Sequence, residues 1–414
     1  MTDYLPRLVS WNITRRCNLS CAHCYLEADS RSSGKDEMTT QEALAFIDQL
    51  AGLCPGAMLV FSGGEPLMRA DLSSLVAHAA GSGLMPVLGT NGVLLNDGRA
   101  RDLAESGLKA VGLSLDSLDA SKHDEFRGVR GAWHRTVAAI KICHDQSLAV
   151  QVHTTATRDN HMEIPELIAF AAEQGATVFN LFFLVCTGRG QGITDISAAQ
   201  YEAALHLLAS SQQEYRGRML VRARCAPHFQ RILHTKDASF AVATVGCMAG
   251  TAYMRVTPEA GVTPCPYLPI EVGNLRLEAL ADIWQTAPLL KQLRQPKLAG
   301  RCGACEYEKL CGGCRARAFA ASGDLMAEDP WCEYQPGQSG SRAPVLEEVN
   351  PIWSEEAYVR LERIPAALRP MVERGVVAYA RSKGIETITP ELMQEMRTRA
   401  GRMNGPWDSL RRSG

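Results

Sequence analysis

The chain has 414 residues and a net charge of −2, and at 46% hydrophobic it can bury a full core plus smaller modules, so two or three domains are expected. It has no block of five or more like charges, which argues against a nucleic-acid or anionic-membrane partner. The opening MTDYLPRLVS lacks the basic and apolar parts of a secretory signal, and no apolar run approaches the roughly 20 residues of a membrane span, so a cytoplasmic protein is expected.

From residue 7 to 185 short β-rich runs alternate with amphipathic helical stretches. Strands are expected over Leu8–Ile13, Ala57–Ser62, Met85–Leu88, Ala110–Leu115, Val150–Ala156 and Val178–Leu184. Helices are expected over Thr40–Cys54, Leu72–Gly81, Asp97–Ser106, Trp133–His144 and Ile164–Gln174. Six such strands at roughly 30-residue spacing imply a parallel sheet with right-handed crossovers, an α/β fold built as a partial (β/α)6 barrel over residues 1–190. Chemistry in such sheets collects at the carboxyl ends of the strands. Residues 191–245 read as a mixed connector with a helix near Ala198–Ser211. From 246 to 335 Cys, Gly and Pro become frequent and the hydrophobic period weakens, as in a segment that relies on metal for its fold. Residues 336–349 have linker composition, and 350–414 read as a small helical domain. There Ser354 can cap a helix, Pro365 and Pro370 punctuate, and Thr389-Pro390-Glu391 can open the last helix.

Fourteen cysteines are too many for ordinary core packing. A disulfide scaffold suits small secreted domains, and these cysteines are grouped rather than spread. Cys17, Cys21 and Cys24 form one group, and Cys247, Cys265, Cys302, Cys305, Cys311, Cys314 and Cys332 a second. Metal ligation is therefore expected, while Cys54, Cys143 and Cys186 lie in periodic apolar segments and read as packing residues. In Cys17-Asn18-Leu19-Ser20-Cys21-Ala22-His23-Cys24 three thiolates can hold three irons of a [4Fe–4S] cube and leave the fourth iron open.

This C-x3-C-x2-C loop after the first strand, with Gly63-Gly64-Glu65-Pro66 after the second, resembles the radical SAM enzymes. The resemblance implies that the open iron chelates the amino and carboxylate groups of S-adenosylmethionine (AdoMet), and that the reduced cluster cleaves it to a 5′-deoxyadenosyl radical. It also implies a cofactor turn at Gly63, Gly64, Glu65 and Pro66. The glycines would let backbone approach the methionyl group, and Glu65 would accept from its ammonium. Thr90 and Asn91 match a second turn, and Ser114 and Asp116 resemble contacts to the ribose and the methionyl carboxylate. Arg189 reads as a carboxylate clamp or as a surface salt bridge.

The pattern Cys302-x2-Cys305-x5-Cys311-x2-Cys314, with Cys247, Cys265 and Cys332, resembles the SPASM extension of these enzymes, which usually carries two auxiliary [4Fe–4S] clusters. Zinc is the rival ligand for paired C-x2-C motifs. By position, the resemblance implies one cluster on Cys302, Cys305, Cys311 and Cys332. The other falls on Cys247, Cys265 and Cys314, with Cys225 as the upstream candidate for a fourth ligand. Two spacings depart from the pattern: C-x2-C at Cys311, where C-x3-C is common, and a glycine one residue closer to Cys265. They leave open whether there are one or two auxiliary clusters.

Arg15-Arg16-Cys17 with Cys24-Tyr25, Thr187-Gly188-Arg189-Gly190, Cys311-Gly312-Gly313-Cys314-Arg315 and Asp329-Pro330-Trp331-Cys332 resemble the heme b synthase, siroheme decarboxylase and heme d1 biosynthesis subgroup. The stretch from Trp353 to Glu391 resembles the small domain ending a subunit of light-independent protochlorophyllide reductase. Both resemblances imply a tetrapyrrole substrate and decarboxylation of its propionate or acetate groups. Arg127, Arg130, Arg189 and His153 are candidate partners for such a substrate. The alternative is a maturase acting on a ribosomally made peptide, with the C-terminal helices as a docking module. Either enzyme needs an electron donor such as flavodoxin or ferredoxin.

Overall fold

The computed structural model describes residues 4–185, 187–192, 196–236, 246–337, 351–364, 369–382 and 385–402. Alternation builds its first strand. Val9 and Trp11 are fully buried under the helices, Trp11 edge-on to Phe46 at 5.1 Å, while Ser10 and Asn12 turn to the inner face. This strand, β1 (Leu8–Asn12), lies beside β2 (Met58–Ser62), and β3 (Met85–Thr90), β4 (Ala110–Ser114), β5 (Ala149–Ala156) and β6 (Val178–Phe183) follow in parallel order. The crossovers are α1 (Thr40–Leu53), α2 (Leu72–Gly81), α3 (Asp97–Glu105), the pair α4 (Ala120–Arg127) and α5 (Ala132–Asp145), and α6 (Ile164–Glu173). Every predicted strand and helix of this region is present, with ends shifted by at most two residues.

Helix α4 has no counterpart in the expectations. Its eight residues, ASKHDEFR, are too polar to show a period, and only its caps mark it: Asp119 accepts from the Ser121 and Lys122 N–H groups, and Gly128 at φ 75° closes it. The stretch 191–245, expected as a connector, contributes α7 (Ala198–Glu214), a seventh parallel strand β7 (Leu220–Arg224) and α8 (His228–Lys236). In the pairing of β7 with β6, Asn180 is opposite Arg222 and Phe182 opposite Arg224.

The cysteine-rich segment then returns to the far edge of the same sheet. Strand β8 (Tyr253–Val256) pairs in parallel with β1, and β9 (Gly261–Thr263) and β10 (Gly273–Asn274) continue it antiparallel. The result is one ten-stranded sheet in the linear order β10-β9-β8-β1-β2-β3-β4-β5-β6-β7, a partial barrel. Helices α9 (Leu280–Thr286), α10 (Pro288–Arg294), α11 (Gly300–Gly303) and α12 (Arg315–Ser322) complete this segment. Cys54 and Cys143 are buried in the main core, whereas Cys186 lies outside the described residues.

In the C-terminal region β11 (Ile352–Trp353) pairs with β12 (Thr387–Ile388), and α13 (Glu355–Glu362), α14 (Arg369–Ser382) and α15 (Pro390–Arg402) share a separate small core around Leu361, Val376 and Ile388. Ser354 caps α13, its Oγ accepting from Ala357 N at 3.2 Å. Pro365 and most of the expected linker lie outside the described residues. No helix among the described residues is long and apolar enough to cross a membrane.

Candidate active site and cysteine clusters

The Cys17–Cys24 loop leaves the carboxyl end of β1 and is held from several sides. Ala22 N donates to Phe126 O at 3.0 Å and Cys17 N to Asp29 O at 3.0 Å. Arg189 donates from Nε to Cys21 O and from its terminal nitrogen to Ala28 O, both at 3.0 Å. Its own N–H reaches Cys24 O at 3.2 Å, and Gly188, at φ 54°, leaves room for that carbonyl where a Cβ would stand 2.7 Å away. Arg189 thus clamps backbone carbonyls of the cysteine loop, and among the described residues it makes no salt bridge. From β3, Asn91 Nδ2 donates to Asn18 Oδ1 at 2.9 Å.

The three thiols are electrostatic neighbours. Burial first, then repulsion from Glu65, Cys21 and Cys24, pushes Cys17 up to about 12 despite the Leu19 N–H 3.4 Å from its sulfur; burial raises Cys21 as well. Thiolates crowded in this way call for a cation among them, the role iron plays in a cluster. The donor set therefore fits the group that the loop spacing implies.

The turn Gly63-Gly64-Glu65-Pro66 is placed as expected at the end of β2, and its glycines make room for the chain's own backbone. A Cβ on Gly63 would stand 2.5 Å from Thr14 O and one on Gly64 2.2 Å from Arg16 O, so the chain's own backbone fills that space. Gly64 N and Glu65 N donate to those same carbonyls at 2.8 Å. Glu65 is fully buried, and its carboxylate accepts from Leu67 N at 3.0 Å, Thr90 Oγ1 at 2.7 Å and Asn91 N at 3.0 Å. Burial raises its pKa and these three donors only partly offset the rise. Glu65 thereby ties the β2 turn to the Thr90-Asn91 turn, while Pro66 starts a short 3-10 turn.

Asp116 and Arg127, expected to meet cofactor and substrate respectively, instead engage each other. Arg127 Nε donates to Asp116 Oδ2 at 2.7 Å, both side chains being buried, and Asp116 Oδ1 accepts from Thr155 N at 2.9 Å. Burial alone would raise Asp116, but Arg127, with His23 and His123, outweighs it and holds the carboxyl below its ordinary value. A further Arg127 nitrogen lies 3.8 Å from Cys21 Sγ, so the pair links strand β4 to the cysteine loop. Ser114 is half-buried at the end of β4, opposite His153 of β5. His153 rests over Gly112, where a Cβ would meet its ring at 2.3 Å, and tilts against Phe182 at 5.3 Å. Burial, then Arg224 and Arg127, pushes His153 down to about 3, so its imidazole is neutral. Arg130 is exposed between α4 and α5.

Two arginines escaped the sequence reading. Arg222 and Arg224 share the inner face of β7 with Asn180 and His153, and Arg224 Nε donates to Asn180 Oδ1 at 2.7 Å. Their signal, basic residues at i and i+2 of a short strand, was masked because the strand itself shows too little apolar period.

The remaining cysteines gather in two sets of four. Cys302, Cys305, Cys311 and Cys332 line one cavity with His228, Arg231 and Arg301. Main-chain N–H groups point at their sulfurs: Tyr307 N at 3.4 Å from Cys305 Sγ, Gly313 N at 3.5 Å from Cys311 Sγ and Asp329 N at 3.5 Å from Cys302 Sγ. Such donors stabilise sulfur-borne charge and tune a cluster. In the other set Cys225, Cys247, Cys265 and Cys314 are mutual electrostatic neighbours; burial first, then one another, raises the thiols of Cys225, Cys265 and Cys314.

Asp329 sits between the two sets. Its N–H points at Cys302, while its carboxylate accepts from Cys314 N and from Arg317, each at 2.8 Å. Arg317 also donates to Cys225 O at 2.7 Å and stacks over Trp331 at 4.1 Å.

Residues 11–171 match the radical SAM superfamily, residues 247–315 the SPASM iron–sulfur cluster-binding domain, and residues 353–397 the proto-chlorophyllide reductase 57 kD subunit. The AdoMet-dependent heme synthase of Methanosarcina barkeri is 39% identical over 345 residues, covering 80% of this chain and 98% of that protein. The pre-heme d1 synthase of Dinoroseobacter shibae is 33% identical over 82% of this chain and 89% of its own length. Among solved structures, Streptococcus suis SuiB bound to S-adenosylmethionine shares the fold, with a TM-score of 0.67 at 19% identity over 80% of this chain and 78% of that one.

Proposed function

Because the chain belongs to the radical SAM superfamily, among the AdoMet-dependent heme synthases and their relatives, we propose that it decarboxylates side chains of an iron tetrapyrrole. It is a radical SAM enzyme that uses AdoMet, a [4Fe–4S] cluster and auxiliary iron–sulfur clusters. One observation carries the substrate class: the 39% identity to a heme synthase covers 80% of this chain and almost the whole length of that protein.

In this reading Cys17, Cys21 and Cys24 hold the AdoMet-binding cluster, and the two sets of four cysteines hold one auxiliary cluster each. When bound, the first cluster and AdoMet supply a 5′-deoxyadenosyl radical that takes a hydrogen atom from the substrate. The chain's own residues fix where that happens. The Glu65–Thr90–Asn91 brace, the Asp116–Arg127 pair and the Arg189 clamp hold the cysteine loop over the carboxyl ends of the strands. Ser114, half-buried beside His153 at the end of β4, is left to meet the cofactor's polar groups. Neutral His153 offers a nitrogen lone pair rather than a charge, which suits a metal-bearing ring better than a carboxylate. A propionate that loses a hydrogen atom, CO2 and one electron becomes a vinyl group, so the reaction needs both reducing equivalents at the start and an outlet for that electron. A small cytoplasmic donor of the flavodoxin or ferredoxin type suits the first need.

The test is anaerobic reconstitution and dithionite reduction, followed by assay of 5′-deoxyadenosine with and without iron coproporphyrin III. The porphyrin should raise 5′-deoxyadenosine above background and lose the mass of CO2 and two hydrogens per side chain. If neither coproporphyrin nor siroheme-derived substrates raise turnover, the tetrapyrrole reading is wrong, and activity on a peptide would replace it.

A further inference from the structure

We propose that Arg222 and Arg224, side by side on the inner face of β7, form the clamp that holds carboxylates of the substrate. The inference rests on the tetrapyrrole reading above and names the residues that select for its acid groups.

Arg222 is exposed and Arg224 half-buried on this face. Four of the six buried arginines among the described residues have carboxylate partners: Arg69 pairs with Asp71, Arg127 with Asp116, Arg231 with Glu202 and Arg317 with Asp329. Arg255 and Arg315 lack one but donate to main-chain carbonyls, Arg255 to Pro266 at 3.1 Å and Arg315 to Leu325 and Ala327 at 2.8 Å each. Arg222 and Arg224 are different. Among the described residues Arg222 has no hydrogen bond or ion pair, and Arg224 has only Asn180, through Nε, which leaves its terminal nitrogens without a partner there. Two like charges at i and i+2 of one strand stand roughly 7 Å apart at their Cα atoms and repel each other. An anion between or in front of them removes that cost, and a guanidinium presents paired N–H donors matched to a carboxylate.

The surroundings match a flat, iron-bearing polyacid. Register places Ser114, His153, Asn180 and Arg222 in one row across β4 to β7, with Phe182 beside Arg224. The row thus runs from a neutral imidazole to a cationic edge, with an aromatic face alongside. Val221, just before Arg222, is fully buried on the opposite face, so the strand cannot turn the arginines outward without exposing its core side. Strand β7 is also the edge of the sheet, which puts the cations at the opening of the barrel. Neighbouring propionates on adjacent pyrrole rings present two carboxylates to such a pair.

The test uses the reconstituted full chain and Soret-band titration with three probes: iron coproporphyrin III with four propionates, iron mesoporphyrin with two, and the coproporphyrin tetramethyl ester. Wild type should bind the tetra-acid well above its ester. Arg222→Met should weaken tetra-acid binding about tenfold or more, and the Arg222→Met/Arg224→Met pair further, with ester binding unmoved. Arg222→Lys should recover part of the loss. Iron and sulfide content shows whether each variant has folded. Variants with full iron content that bind the tetra-acid like wild type would overturn the clamp, as would a wild type that does not separate acid from ester. If wild type binds no porphyrin at all, the tetrapyrrole reading falls and the clamp with it.

Discussion

The Cys17–Cys24 loop and the two four-thiol sets are held by opposite means. The loop is short and local, but its position is dictated from outside: Asn91 after β3, Arg127 at the end of α4 and Arg189 after β6 all reach it. The four-thiol sets draw sulfur from Cys225 to Cys332, and between them lies little apolar packing beyond a small cluster around Leu268, Leu293 and Ala316. Their common strut is one buried ion pair, Arg317–Asp329. The barrel thus prepares a place for its metal, whereas the extension, with so little apolar packing, is expected to rely on its metal to stay folded.

The sharpest way to break this contrast is to replace Cys17, Cys21 and Cys24 with Ala. AdoMet cleavage should be lost entirely while the extension keeps its iron, measured by 5′-deoxyadenosine yield and iron per chain; surviving cleavage would falsify the assignment of the loop. Stripping iron with a chelator should leave the amides of β1 to β6 protected in hydrogen exchange but open those of 300–332. Equal loss in both regions would mean the barrel leans on metal as much as the extension does.

Arg317→Met leaves Asp329 charged, buried and unpaired, and should cost about 3–5 kcal/mol in denaturant unfolding, together with loss of auxiliary iron. Gly64→Ala is milder, about 1–3 kcal/mol, because its Cβ must push the Arg16 carbonyl aside. The smallest effect is on pH dependence. Asp116 titrates below its ordinary value, so its stabilisation is complete above about pH 4 and fades as pH falls through the folded-state value. Asp116→Asn should flatten that acid limb of the stability profile; an unchanged limb would show that the Arg127 pair contributes nothing to it.

The barrel strands were legible because alternation such as Val9, Trp11 against Ser10, Asn12 is a local signal. The cysteine loop was legible because its spacing is. What stayed hidden depends on distance or on polarity. Helix α4 carries Arg127, yet only Asp119 and Gly128 announce it, since a polar helix has no period to read. Strand β7 was lost for a related reason: a strand that faces a solvated lumen can carry arginines where a core strand would carry valines. The glycines at 63 and 64 were found, but the neighbour that requires them, the Thr14–Arg16 backbone, lies about fifty residues away in sequence, just past the end of β1. Arg127 reads as a candidate partner for the substrate because nothing local says that a carboxylate eleven residues earlier will claim it.

The pairing of β8 with β1 sets a timetable for biosynthesis. Leu8 through Trp11 find their second neighbour in Tyr253 through Val256, so the first strand made is completed only after some 245 further residues have been translated. At roughly 5–20 residues per second that is about 12–50 s during which one side of β1 offers unpaired N–H and C=O groups to any strand that passes. A chain halted near residue 245 would carry that bare edge permanently, and its natural fate is association with copies of itself.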